Sequence, residues 1–210
     1  PQGNVIANTL ILASNAYGQR SLHGAIKDRL FPVMSSILVS SALNDAQLSA
    51  LGMRSGLMLM DTRPLKYYYR LLPNNRLLFG ARGAIKGKHA DTAESQKRLF
   101  QGLVSTFPQL HELSIEQFWS GWVAVSLDDY PRIYHDRQNR LLYSGGYCGA
   151  GLAFSVQAGK RLAQLLCAPD ELPDLPYWES PLKRFPFAGF RRTALSGLYA
   201  WENVKSKLYK

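Results

Sequence analysis

Leu141-Leu142-Tyr143-Ser144-Gly145-Gly146-Tyr147-Cys148-Gly149-Ala150-Gly151 is the stretch on which the reading of the fold turns. Leu141 to Tyr143 read as a short strand and the glycine cluster as a tight turn. Beyond it, Leu152, Val156, Gly159, Ala163 and Leu166 recur at helical spacing and mark the apolar stripe of an amphipathic helix. The first turn of a helix presents backbone N–H groups without intrahelical partners at the positive end of its dipole. Glycines let that backbone come close to a ligand carrying partial negative charge. The order is Gly146-x-x-Gly149-x-Gly151, not the Gly-x-Gly-x-x-Gly of dinucleotide-binding folds. Spacing alone leaves two readings open: a turn that seats a helix on a sheet, and a cradle for a ligand.

Upstream, Val5 to Ala13 reads as a strand, followed by a turn at Ser14-Asn15-Ala16-Tyr17-Gly18 and a short helix through Leu30, stopped by Pro32. Val33 to Ser40 and Leu57 to Met60 read as strands, with an irregular or briefly helical link beginning at Asn44-Asp45. Lys66 to Leu72 and Arg76 to Gly80 flank the turn Pro73-Asn74-Asn75 and form a hairpin, because Asn tolerates left-handed backbone and aromatic residues suit strands. Alternation puts Tyr68 and Arg70 on one face of that hairpin and Tyr67 and Tyr69 on the other. Asp91-Thr92-Ala93-Glu94 reads as a capping box with Asp91 as the cap, preceding a helix through Leu99, Phe100, Leu103 and Val104 that ends by Pro108. Ile115 to Leu127 carries apolar residues on both faces, which predicts a strand covered on both sides. Residues 169–186 hold five prolines and read as an extended linker, and Thr193 to Tyr209 as a terminal helix.

The chain has 210 residues, 46% of them hydrophobic and 11% aromatic, enough to form a packed core and to exclude disorder as the main state. Its net charge of +10 is unevenly spread. Residues 1–100 carry 13 basic and 5 acidic side chains, 101–182 carry 5 and 9, and 183–210 carry 7 and 1. No run approaches the roughly 18 apolar residues of a membrane-spanning helix. Pro1 reads as a cut, not as a signal peptide. Cys148 and Cys167 have no CxxC partner, and His23, His89, His111 and His135 stand apart, so no metal site is expected and a reducing, cytoplasmic setting is the default. Gly83 to His89 fails as a phosphate loop, since Arg82 and His89 stand where glycine and Ser or Thr are required. Ser36, Ser40 and Ser120 lack the context of a hydrolase nucleophile, and Asp128-Asp129 reads as a turn. Aromatic residues interleave with arginines at Tyr67 to Arg82 and again at Phe185 to Trp201, an arrangement open to nucleic acid, although alternation assigns half of the first group to the core.

Thr9 to Tyr17, Asp61-Thr62-Arg63, Tyr68-Tyr69-Arg70, Arg76 to Gly80, Trp119-Ser120-Gly121-Trp122 with Asp128 and Pro131, and Gly146 to Gly151 leading into Ala158 to Ala163 occur in a telling order. Together they resemble the carboxy-terminal half of the FAD-dependent D-amino acid oxidase superfamily, the group containing glycine and sarcosine oxidases, and especially its gamma-glutamylputrescine oxidoreductase type. The resemblance implies an α+β fold: an antiparallel-sheet substrate domain (31–130) plus strand and helix pieces (1–30 and 131–168) of an FAD-binding Rossmann-like domain whose amino-terminal half is absent, with 169–210 as a basic linker and tail helix. It implies FAD contacts from Asn15, Gly146, Tyr147, Cys148, Gly149, Ala150, Gly151 and Leu152, with the α-helix dipole facing the flavin edge that becomes negative on reduction. Tyr69 and Trp122 are implied toward the substrate, with Tyr147 beside them; core packing is the alternative for each. Cys148 is either a small residue in a tight turn or a covalent flavin link.

Two departures from the family pattern matter. Gly121-Trp122-Val123-Ala124 replaces the family's Gly-Leu-Arg-Pro, removing the arginine that clamps a substrate carboxylate and favouring an amine or N-substituted substrate. The pyrophosphate-binding Gly-x-Gly-x-x-Gly is nowhere in these residues. The expected partners are therefore a small-molecule amine and the missing amino-terminal half, with weak or no FAD binding and some self-association through open sheet edges when the chain is alone. A nucleic-acid-binding module is the minor alternative, together with an anionic membrane surface held by residues 183–210.

Overall fold

The computed structural model describes residues 3–18, 22–175 and 180–208. The chain divides into two compact units, one comprising 1–32 and 122–189, the other 33–121 and 190–210. These bounds end the sheet unit at 121 instead of the expected 130 and count the tail helix with it.

The sheet unit is built on strands β2 (Phe31–Ala42), β3 (Met58–Met60), β4 (Tyr68–Leu71), β5 (Arg76–Arg82) and β6 (Ile115–Val125), ordered β3-β4-β5-β2-β6. The hairpin forms where the sequence predicts it, with Tyr69 opposite Phe79 and Leu71 opposite Leu77, and Asn75 takes the left-handed turn position at φ 59°. Alternation sends Leu38, Leu77 and Phe79 to one face, where they are fully buried against Leu99 and Leu103 of helix α2 (Ala93–Thr106). Burying each such side chain contributes about 1.5–3 kcal/mol. Tyr67 and Tyr69 both pack on Phe79, at ring-centroid distances of 5.0 and 5.8 Å. Tyr68 lies over Gly80 on the other face; a Cβ at residue 80 would sit 2.1 Å from the Tyr68 ring. The link from Asn44-Asp45 takes the helical of its two expected forms as helix α1 (Asp45–Leu51): Asn44 and Gln47 cap it reciprocally, and Gly52 ends it at φ 62°. Helix α4 (Arg191–Leu208) closes this unit's chain.

In the other unit, β1 (Leu10–Leu12) pairs in parallel with β8 (Leu141–Gly145), and β7 (Arg132–Asp136) pairs with β8 antiparallel. All five residues of β8 are buried. One side is covered by helix α3 (Gly151–Cys167), whose Ala158, Leu162 and Leu165 meet Ile133 and Leu142. Leu12, Ile26, Tyr143 and Leu182 pack together on the other side. Tyr143 Oη accepts a 2.7 Å bond from the Leu182 amide, and burial pushes its pKa up to about 12.

Four local expectations are corrected. The apolar stripe read on α3 is not the packed one: Leu152 is 92% and Val156 77% exposed, because the helix carries a second stripe at 158, 162 and 165 that β7 and β8 select. The cap of α2 is Thr92, which accepts from the Ser95 amide, and not Asp91. Strand β6 is only partly covered, with Trp119 exposed and Ala124 alone among its residues buried. Residues 24–29 form turns without a helix, broken by Asp28 at φ 62°, while 19–21 lie outside the described residues, as does Tyr209 of the predicted tail helix.

Candidate functional site

The glycine turn leaves β8 with three residues in left-handed backbone: Gly146 at φ 76°, Cys148 at 52° and Gly149 at 108°. Position 146 requires glycine twice over, since a Cβ there would also sit 3.0 Å from both Leu182 and Ser126. Asn15, itself at φ 43°, holds the turn through a 3.1 Å bond that its Oδ1 accepts from the Gly146 amide. The Cys148 amide donates to the Ala124 carbonyl at 2.9 Å, and its thiol donates to the Gly146 carbonyl at 3.2 Å while the Ser126 amide approaches it at 3.4 Å. These bonds tie Cys148 into the turn.

Helix α3 begins at once after this turn. Ala150 is its N-cap and offers no side-chain acceptor, so no side chain caps the first amides of the helix. Gly149 and Ala150 are exposed, and the space around a Cβ at 149 is open. Tyr147 is turned aside: its hydroxyl donates to Ser144 Oγ at 3.0 Å and its ring lies 5.7 Å from that of Phe154. The uncapped first turn, the open glycine and the dipole suit a ligand group with partial negative charge.

The structure brings Asn15 and 146–152 together and places half-buried Trp122 in the same unit, its backbone N–H donating a 3.1 Å hydrogen bond to Tyr17 Oη. Tyr69 stands in the sheet unit, its ring stacked on Phe79 and edge-on to Phe107 at 5.0 Å. Tyr68 points the other way: its hydroxyl meets Ser35 Oγ at 2.7 Å, and burial raises its pKa against the opposing effects of Ser35 and Arg82. Asp128 lies in the turn that the sequence predicts, and it is also the centre of an ion-pair cluster that the sequence does not show. Its carboxylate receives Arg132 at 2.7 Å and Lys183 at 3.3 Å, which outweigh the effect of burial and hold its pKa below the usual carboxylate range. No local pattern announces Lys183 as its partner.

The sequence profile of the "FAD dependent oxidoreductase" (DAO) family matches residues 1–165. This chain belongs to that family. Within it, the chain is similar to a probable oxidoreductase OrdL of Haemophilus influenzae, 29% identical over 170 residues, covering 80% of this chain and 38% of that protein. It is 28% identical over 205 residues to the gamma-glutamylputrescine oxidoreductase of Escherichia coli, covering 94% of this chain and 46% of that protein. Among solved structures, iminodiacetate oxidase of Chelativorans sp. superposes with a TM-score of 0.64 at 20% identity, over 84% of this chain and 47% of that one. Glycine oxidase of Bacillus cereus does so with a TM-score of 0.61 at 18% identity, over 84% and 46%. The fold of this DAO-family chain is thus that of flavoenzymes of the glycine oxidase kind, with mixed α and β elements, antiparallel pairing in the five-stranded sheet and one parallel pair in the three-stranded sheet. The chain spans less than half the length of the curated relatives it matches. Among the described residues no helix is long and apolar enough to cross a membrane, and no cluster of His, Cys, Asp and Glu suits a metal.

Proposed function

We propose that this chain is the carboxy-terminal part of an FAD-dependent oxidoreductase that oxidises an amine or an N-substituted amino compound to an imine, which water then hydrolyses. The observation that carries the reading is the glycine turn, held by Asn15 and feeding a helix start that no side chain caps. FAD, when bound, supplies the two-electron acceptance. The chain's own part would be orientation and electrostatics: the first amides of α3 would favour the flavin edge that gains charge, and Gly149 leaves room for close approach. Trp122 is retained as a substrate-side residue. The Tyr69 ring is occupied by Phe79 and Phe107, which supports core packing for it over a substrate role. Val123 supplies no carboxylate clamp, which favours amines over simple α-amino acids.

The nucleotide-binding half that this reading requires is given three seats: the outer stripe of α3, the exposed apolar residues Val5 and Ile6, and the outer edge of β1, beside which no strand lies among the described residues. A panel of N-substituted amines and simple amino acids, assayed on the chain joined to a family nucleotide-binding half, tests the substrate. Turnover of the amines with little on glycine or alanine is expected; preference for the amino acids would refute the amine assignment.

A further inference from the structure

The basic excess lies in two blocks far apart in sequence, 1–100 and 183–210, and within the sheet unit the fold joins them. Arg82 at the end of β5, Arg98 on α2 and Lys205 on α4 line one cleft of about 780 Å³. Arg63 also lines it, but it is paired with Asp61 at 3.3 Å and lies 4.8 Å over the Tyr67 ring. Glu202 is the one carboxylate of the lining among the described residues. Arg82, Arg98 and Lys205 have no carboxylate within ion-pair distance among the described residues. Tyr199 of α4 shares the cleft; burial raises its pKa while Arg82 and Arg98 act against that, so both guanidinium groups are within electrostatic reach of its hydroxyl.

We infer that this cleft binds a small multivalent oxyanion, an organic phosphate or a polycarboxylate, held by Arg82, Arg98 and Lys205. Its volume lies in the range of small-molecule sites, roughly 300–1,000 Å³. Guanidinium forks bind phosphate and carboxylate oxygens in pairs, and cations on three separate elements favour a ligand with more than one anionic group over a single ion. Tyr199 adds a hydroxyl donor at the wall. The proposal stands apart from the flavin reading, since Arg82, Arg98, Lys205, Tyr199 and Glu202 have no part in the flavin or substrate contacts proposed above.

Calorimetric titration of the whole chain with sodium pyrophosphate and with citrate, at constant ionic strength, tests it. Saturable one-to-one binding of at least one anion is expected, pyrophosphate identifying a phosphate ligand and citrate a polycarboxylate. Arg82→Gln and Arg98→Gln should each weaken binding about tenfold, and Glu202→Gln should strengthen it about threefold by removing a like charge. Arg137→Gln, in the other unit, is the control and should change nothing. Arg82 and Arg98 are exposed, so an unchanged thermal midpoint will confirm that the variants fold; if one is destabilised, exposed Lys205→Gln takes its place. Absence of saturable binding by both anions overturns the proposal. So does equal weakening by Arg137→Gln, or a generic oligonucleotide that binds more tightly than either anion and is weakened by every basic substitution alike.

Discussion

In the sheet unit Leu38, Leu77, Phe79, Leu103 and Leu110 are wholly buried between strands and α2, whereas in the unit built on β8 a helix of similar amphipathic character leaves Leu152 and Val156 almost bare. Both helices cover a sheet with one stripe. Of these two helices α3 carries a second apolar stripe with nothing described upon it, and in its unit Val5 and Ile6 are more than 90% exposed. A core closed on all sides is a finished domain, whereas apolar surface left open on a helix and beside a sheet edge is the mark of a layer meant to continue. The β8 unit has the second character at α3 and β1; the sheet unit closes one face of its sheet against α2, while Met58, Met60, Trp119, Trp201 and Val204 stay exposed at its margins.

The contrast is broken most severely at Phe79. Phe79→Ala removes the ring on which Tyr67 and Tyr69 rest and should cost about 3–5 kcal/mol, seen as a lower denaturant midpoint. In the β8 unit the comparable weak point is polar. Asp128→Asn leaves Arg132, only 9% exposed, without its carboxylate and should cost about 2–3 kcal/mol at neutral pH. Because the folded pKa of Asp128 is depressed, its contribution is present at neutral pH and is lost as pH falls through that folded value; wild type and variant should therefore converge in acid. The smallest effect sharpens the comparison. Leu152→Ser with Val156→Ser should shift stability by less than about 0.5 kcal/mol, since both are already in water, while reducing self-association in sedimentation. A large destabilisation would mean that the outer stripe of α3 is already covered.

Local chemistry explains how much was legible in the sequence. The hairpin at 66–80 and the turn at 146–151 depend on residues adjacent in the chain, Asn75 and the glycines, and both form where expected. The face of α3 depends on which stripe meets Ile133 and Leu142, and a helix with two apolar stripes does not announce the choice. Tyr68 and Tyr69 are equivalent by composition; strand alternation separates their faces, but the ring partners Phe79 and Phe107 are known only from the packing. Asp128 reads as a turn former because its partners are an arginine across the turn and a lysine from a distant linker.

Titration of FAD, followed by the yellow flavin absorbance band, into the chain alone and into the chain joined to a nucleotide-binding half carrying Gly-x-Gly-x-x-Gly tests the central claim most directly. The account predicts little or no binding to the chain alone and stoichiometric binding when it is completed, weakened when Leu152 and Val156 are changed to serine. A completed, folded protein that takes up no FAD would contradict it.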